Sequence, residues 1–131
     1  RVVGQVAETY LTKRVKKQVA AILGTESIAM ASNWSDFIKS DTTNKHLDPW
    51  HYVNLNSGLS YDSVKRHLET STGFNIYNRI NFLIAELKRN DLTIEQKQFN
   101  LKFLIHLIGD LHQPMHVGRP DDRGGNNIKV K

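Results

Sequence analysis

The chain has 131 residues, enough for one domain with a buried core of its own. Its 18 Lys and Arg against 13 Asp and Glu leave a net charge of +5, which favours an anionic partner without choosing between nucleic acid and a membrane surface. The absence of cysteine excludes a disulfide framework and any thiolate metal site, and no apolar run reaches the length of a membrane span.

Val3, Val6, Ala7, Tyr10 and Leu11 have helical spacing, and no capping residue precedes them, so the chain is expected to begin inside a longer sequence. Thr12 can cap a second helix whose apolar stripe is Val15, Val19, Ile22 and Leu23 and whose end is Gly24. Lys13, Arg14, Lys16 and Lys17 form its solvated face. The stretch from Ile28 to Ile38 holds a short helix that Ser32 or Asn33 can cap, with Trp34 in the core and Asp36 near the helix start, where the dipole favours a carboxylate. Lys45 to Asn54, KHLDPWHYVN, reads as a loop carrying two histidines and a proline. From Tyr61 the pattern is helical again. Gly73 breaks it, Ile76, Ile80, Leu83, Ile84 and Leu87 resume it, and Arg89-Asn90-Asp91 is a turn. His67 falls on a polar face. Thr93 with Gln96 makes a capping box that opens a long helix ending at Leu111.

The most informative stretch is Phe103 to Asn126, FLIHLIGDLHQPMHVGRPDDRGGN. Leu101, Leu104, Ile105, Ile108 and Leu111 share one helix face, which predicts the core side, and His112 falls on it as a core histidine satisfied by hydrogen bonds. His106 and Asp110 are four apart, one above the other on the opposite side, where a single ion can reach both. Pro114 forces a turn that can swing His116 back toward the pair. A bound metal accounts for this trio better than three separate buried polar groups. With no thiolates, such a metal is held by histidine and carboxylate, the mixture of a catalytic zinc site. The loop after His116 is too rich in breakers to be helix; its paired glycines allow backbone amides near a phosphate, and Asn126 can donate to one. Ile128-Lys129-Val130-Lys131 alternates like a short strand.

The run HLIGDLHQPMHVG followed by DRGGNNIKV resembles the S1/P1 nuclease family of zinc-dependent enzymes. The resemblance implies an all-α, multi-helix fold of the zinc phospholipase C and P1 nuclease type, with a strand-like segment at the C-terminal end, spanning residues 1–131 as one domain incomplete at both ends. It implies an endonuclease that hydrolyses single-stranded DNA or RNA to 5′-phosphate products, and 3′-nucleotides, through metal-activated water. By the same resemblance Asp36, His51, His106 and Asp110 fill one zinc site, Asp110 bridges toward a second, and His116 serves a third. His46 is then loop surface. Tyr52 stands where the family stacks an aromatic on a nucleobase, although a core aromatic fits as well; Asn54 stands near the base edge, and the DRGGN loop with Asn126 near phosphate. The family's N-terminal tryptophan and histidine, and its later histidine and aspartate, have no counterpart in this sequence. At most one of the three zinc sites of an intact member is therefore fully liganded here, and these residues alone are expected to catalyse poorly or not at all. Family members are secreted or periplasmic, and no membrane partner is expected. Two rival readings stand beside this one: a zinc-dependent phospholipase C-like hydrolase, and a metal-free basic helical module that binds nucleic acid with salt-sensitive affinity.

Overall fold

The computed structural model describes residues 1–129, which form seven α-helices and three 3-10 segments, with no strand among them. Helix α1 (Val2–Tyr10) leads into α2 (Lys13–Leu23), capped by the Thr12 hydroxyl and closed at Gly24 with φ 68°. Helix α3 (Ile28–Ala31) is capped by Ser27, and α4 (Trp34–Ile38) follows after a break. Neither expected cap serves α4. Asn33 makes no side-chain bond there, and the Ser32 hydroxyl instead donates to the Ala29 carbonyl at the end of α3. The stretch read as a loop is mostly a 3-10 segment, Thr42–His51, begun by the Asp41 carboxylate accepting from the Thr43 backbone.

Helices α5 (Tyr61–Thr70), α6 (Ile76–Leu87) and α7 (Ile94–Leu111) complete the frame. The Thr93/Gln96 capping box opens α7 as expected, and a second one, Asn75 with Asn78, opens α6. Helix α7, about 27 Å long at 1.5 Å per residue, is the axis of the fold: α1, α2, α3, α4, α6 and the 3-10 segment before His51 all pack on it.

Because neighbours surround α7, its deepest face is not the one the periodicity marks. Phe103, His106 and Leu107 are buried, whereas Ile108 is exposed and Leu101, Leu104, Ile105 and Leu111 are half-buried against flanking elements. His112 is not a core histidine. The helix ends at Leu111, and His112 is an exposed C-cap whose Nδ1–H donates to the Ile108 carbonyl at 2.7 Å. The main core joins Leu47, Val53, Ile76, Ile80, Leu83, Phe103 and Leu107, with Trp34, Trp50 and Phe99 packed against it. Phe103 lies at the centre of an aromatic array, its ring 5.7 Å from Trp34, 5.2 Å from Trp50 and 4.9 Å from Phe99.

Two short 3-10 segments follow α7, Pro114–Val117 and Pro120–Gly125; the second occupies the loop expected to be irregular and is kinked at Arg123 and Gly124. The C-terminal strand is not formed by Ile128 and Lys129, and Val130 and Lys131 lie outside the described residues.

Candidate metal centre

Four separate pieces of chain deliver side chains to one point: α4 carries Asp36, the end of the long 3-10 segment carries His51, and α7 carries His106 and Asp110, with His116 following on the next 3-10 turn. Two backbone bonds fasten the second of these to the last. The Val53 amide donates to the His116 carbonyl at 2.8 Å and the Leu55 amide to the Gly118 carbonyl at 3.0 Å. Residues 52–55 are thereby held extended, with Val53 turned into the core and Tyr52 and Asn54 alternating to the opposite side.

At the centre of the cluster, Asp110 Oδ2 lies 2.9 Å from both His51 Nδ1 and His106 Nε2, and the two nitrogens are 3.1 Å apart. Asp36 Oδ1 is 3.7 Å from His106 Nε2. His51 and His106 are 2% and 6% exposed, while the Asp36 side chain is 60% exposed and forms an ion pair with Lys39 at 3.1 Å. His116 Nδ1 is 3.6 Å from Asp110 Oδ2, at the edge of the group.

The tautomers follow from the backbone. The His106 Nδ1–H donates to the Ser32 carbonyl at 2.7 Å and the His116 Nδ1–H to the His51 carbonyl at 3.0 Å; a carbonyl only accepts, so in each neutral ring Nε2 keeps its lone pair. For His106 that lone pair faces the cluster. His51 presents Nδ1 to it, and its Nε2 is buried without a hydrogen-bond partner among the described residues. Burial lowers the His51 pKa by more than the bond to Asp110 raises it. For His106 burial also acts downward, but the Asp110 carboxylate and the Ser32 carbonyl outweigh it and hold the pKa above its ordinary value. Burial alone would raise Asp110; the bonds from His106 and His51 prevail and keep it far below the usual carboxylate range.

A carboxylate oxygen faced by two ring nitrogens needs positive charge between them, supplied by protons or by a cation. A tetrahedral zinc with bonds of about 2.0–2.1 Å has ligand-to-ligand edges of about 3.3 Å. The separations of 2.9, 2.9, 3.1 and 3.7 Å straddle that value, and the donor set of two imidazoles and two carboxylates suits the same ion. Asp36, His51 and His106 present ligand atoms within 4.8 Å of one another. These residues fit zinc.

A cleft of about 600 Å³ opens beside the cluster, with His51, Tyr52, Asn54 and His116 in its wall and Arg123, Gly124 and Asn126 from the second short 3-10 segment and its C-cap. The three residues expected to touch substrate thus line one cavity with two of the histidines. Tyr52 is 41% exposed and so is not a core aromatic. Asn126 uses one amide hydrogen on the Arg123 carbonyl, leaving the rest of its amide for the cleft. Lys39, Asp48 and Met115 also line it and were not singled out from the sequence; for Lys39 the available signal was its position three residues after Asp36. A second cavity of about 430 Å³, lined in part by α1, α2 and α7, includes Asp36, His106 and Asp110 in its wall. His46 and His67 are exposed and line neither cavity.

Comparison with known proteins joins this geometry to the sequence pattern, since the family model described as S1/P1 nuclease matches residues 1–131. The chain belongs to the S1/P1 nuclease family. Among its S1/P1 relatives, Endonuclease 4 of Arabidopsis thaliana is 30% identical over 97% of this chain and 46% of its own length. Nuclease S1 of Aspergillus oryzae is 26% identical over 98% of this chain and 45% of its own length, and nuclease P1 of Penicillium citrinum 26% identical over 98% and 48%. The chain therefore spans about half the length of the S1/P1 nucleases it matches. No helix among its described residues is long and apolar enough to cross a membrane.

Proposed function

We propose that the protein is a zinc-dependent phosphodiesterase acting on single-stranded DNA or RNA, and on 3′-nucleotides, to leave 5′-phosphate products. The observation that supports this most directly is the convergence of His51 Nδ1, His106 Nε2 and Asp110 Oδ2 within 2.9–3.1 Å, with Asp36 adjoining, on the edge of a cleft walled by Tyr52 and Asn54. Asp36, His51, His106 and Asp110 hold one zinc, and His116, with its Nε2 lone pair left by the bond to the His51 carbonyl, serves a neighbouring one. Zinc in such a site lowers the pKa of bound water toward about 7 and offsets charge that builds on a phosphate. The protein's own groups do the rest. The Ser32 and His51 carbonyls fix two imidazoles in the ligating tautomer, and Tyr52 offers a ring face to a base, which is sequence-tolerant and contributes about 1–3 kcal/mol per base. Asn54 and Asn126 offer amides to base edge and phosphate. Lys39 brings a cation into the same cleft beside Asp36.

The test is zinc content by elemental analysis together with hydrolysis of single-stranded DNA and of phosphatidylcholine, on the full-length protein and on His106→Ala. The expected result is zinc and DNA hydrolysis in the parent, and loss of zinc from this site in the variant with activity down at least about a hundredfold. Full zinc content and full activity in His106→Ala would falsify the ligand assignment. Hydrolysis of the lipid in preference to DNA would replace the nuclease reading with a phospholipase, and DNA binding indifferent to chelator with no hydrolysis would leave only a binding module.

A further inference from the structure

Arg123 has a backbone that its side chain does not favour. Its φ and ψ are 46° and 50°, the left-handed region, and among the described residues it alone of the non-glycines has a positive φ. Glycine adopts that region freely and asparagine tolerates it, whereas other L-residues are strained there. The surrounding loop imposes the conformation from several sides. Arg119 grips the Asp122 carboxylate with two bonds of 3.0 and 3.3 Å, the Asn127 side chain donates to the Asp121 carbonyl at 2.7 Å, and the Asn126 side chain donates to the carbonyl of Arg123 itself at 2.8 Å. Gly124 and Gly125 continue with φ of 65° and 95°. A third small residue would suit the backbone better than arginine does, so the backbone is not the reason for arginine at this position.

The reason lies in where the side chain stands. Arg123 lines the 600 Å³ cleft beside His51, Tyr52 and His116, and among the described residues it has no carboxylate partner, whereas Arg119 has Asp122 and Lys39 has Asp36. Among the described residues its side chain makes no hydrogen bond or ion pair with the metal-cluster side chains. A guanidinium without a carboxylate partner on the wall of a nucleic-acid cleft is suited to a phosphate, which its planar fork can grip with two bonds. The phosphate that reacts is held at the cluster. Along a strand the next group of the same chemistry is the neighbouring phosphate, and a 3′-mononucleotide has none.

We infer that Arg123 binds a phosphate of the substrate strand adjacent to the one being cleaved, and so sets the preference of this cleft for polynucleotide over mononucleotide. This rests on the nuclease reading above and adds to it a residue that selects substrate length.

The deciding variant is Arg123→Asn, which suits the left-handed backbone and removes only the cation. In the zinc-loaded full-length protein, binding of a short fluorescein-labelled single-stranded oligodeoxynucleotide is followed by anisotropy at several salt concentrations, alongside KM values for that oligonucleotide and for a 3′-mononucleotide, and Tm. Oligonucleotide affinity is expected to fall about tenfold and the salt slope of log K to shrink by about 0.7, one single-strand phosphate contact. KM should rise for the oligonucleotide about tenfold relative to the mononucleotide, with Tm unchanged or higher. Arg123→Lys should recover the salt slope. Unchanged oligonucleotide affinity, an equal loss on both substrates, or a fall in Tm without selective loss overturns the assignment. If the parent protein binds and cuts DNA but the variant matches it, only the role of Arg123 falls; if the parent neither binds nor cuts, the nuclease reading falls and takes this inference with it.

Discussion

Tyr52 shows how one side chain's work is set by the backbone around it. The Ile76 amide donates to its carbonyl at 3.1 Å, and the neighbouring Val53 is anchored in the core, so the exposed ring is presented from a fixed extended segment at the edge of the cleft. Tyr52→Ala is therefore expected to raise the oligonucleotide KM by about one to two orders of magnitude, the loss of about 1–3 kcal/mol of stacking, with little change in Tm. Tyr52→Phe should behave like the parent in the same kinetic assay. A large fall in Tm for Tyr52→Ala would instead mark the ring as a packing element.

Among the helices, the shortest supports the metal cluster without supplying a ligand to it. Helix α3 ends at Ala31 with Ser32 as its C-cap; the Ser32 carbonyl accepts the hydrogen bond from the His106 Nδ1–H, and α3 itself packs against α1. The two meet at Gly4, where an added Cβ would stand 3.1 Å from the Ile28 carbonyl oxygen and 3.2 Å from Ala29 Cα. Both are backbone atoms and cannot turn aside. Gly4→Ala should then force α1 off α3, with an overpacking cost of about 1–3 kcal/mol seen as a lower Tm, and zinc affinity should fall with it because Ser32 moves. A variant with parental Tm and parental zinc affinity would show that α3 does not depend on this contact. The capped helices were legible from residues nearby in the chain. Thr12 with Gly24 and Thr93 with Gln96 mark ends by bonds within a few residues, which a linear pattern records. The boundaries of α3 were not, because the sequence offered Ser32 or Asn33 as the cap of one short helix, whereas Ser27 caps α3 and Ser32 closes it.

For the molecule as a whole, the cluster is a place where separate stretches of chain are pulled together with their charges unresolved. A metal bound there joins α4, the 3-10 segment ending at His51 and α7, and so stabilises the native state by mass action, about 2.7 kcal/mol when free metal is a hundred times its dissociation constant. Treatment with EDTA is expected to lower Tm, and added zinc to restore it; a Tm indifferent to both would sink the metal reading independently of any activity assay. The sequence by itself determined the helical class, the long axis helix and the spacing of His106 and Asp110, because each is a property of residues within a few positions of one another. Asp36 and His51 could be named only through the likeness to a family, since nothing local separates a ligand histidine from His46 or His67. The tertiary structure alone decided which face of α7 is deepest, that His112 is exposed, that Ser32 and His51 lend their carbonyls to fix two imidazoles, and that Arg123 lines the same cleft as Tyr52. The carbonyl partners and the elements packed around α7 come from far along the chain, and a periodicity read along one helix has no information about what packs on its other sides.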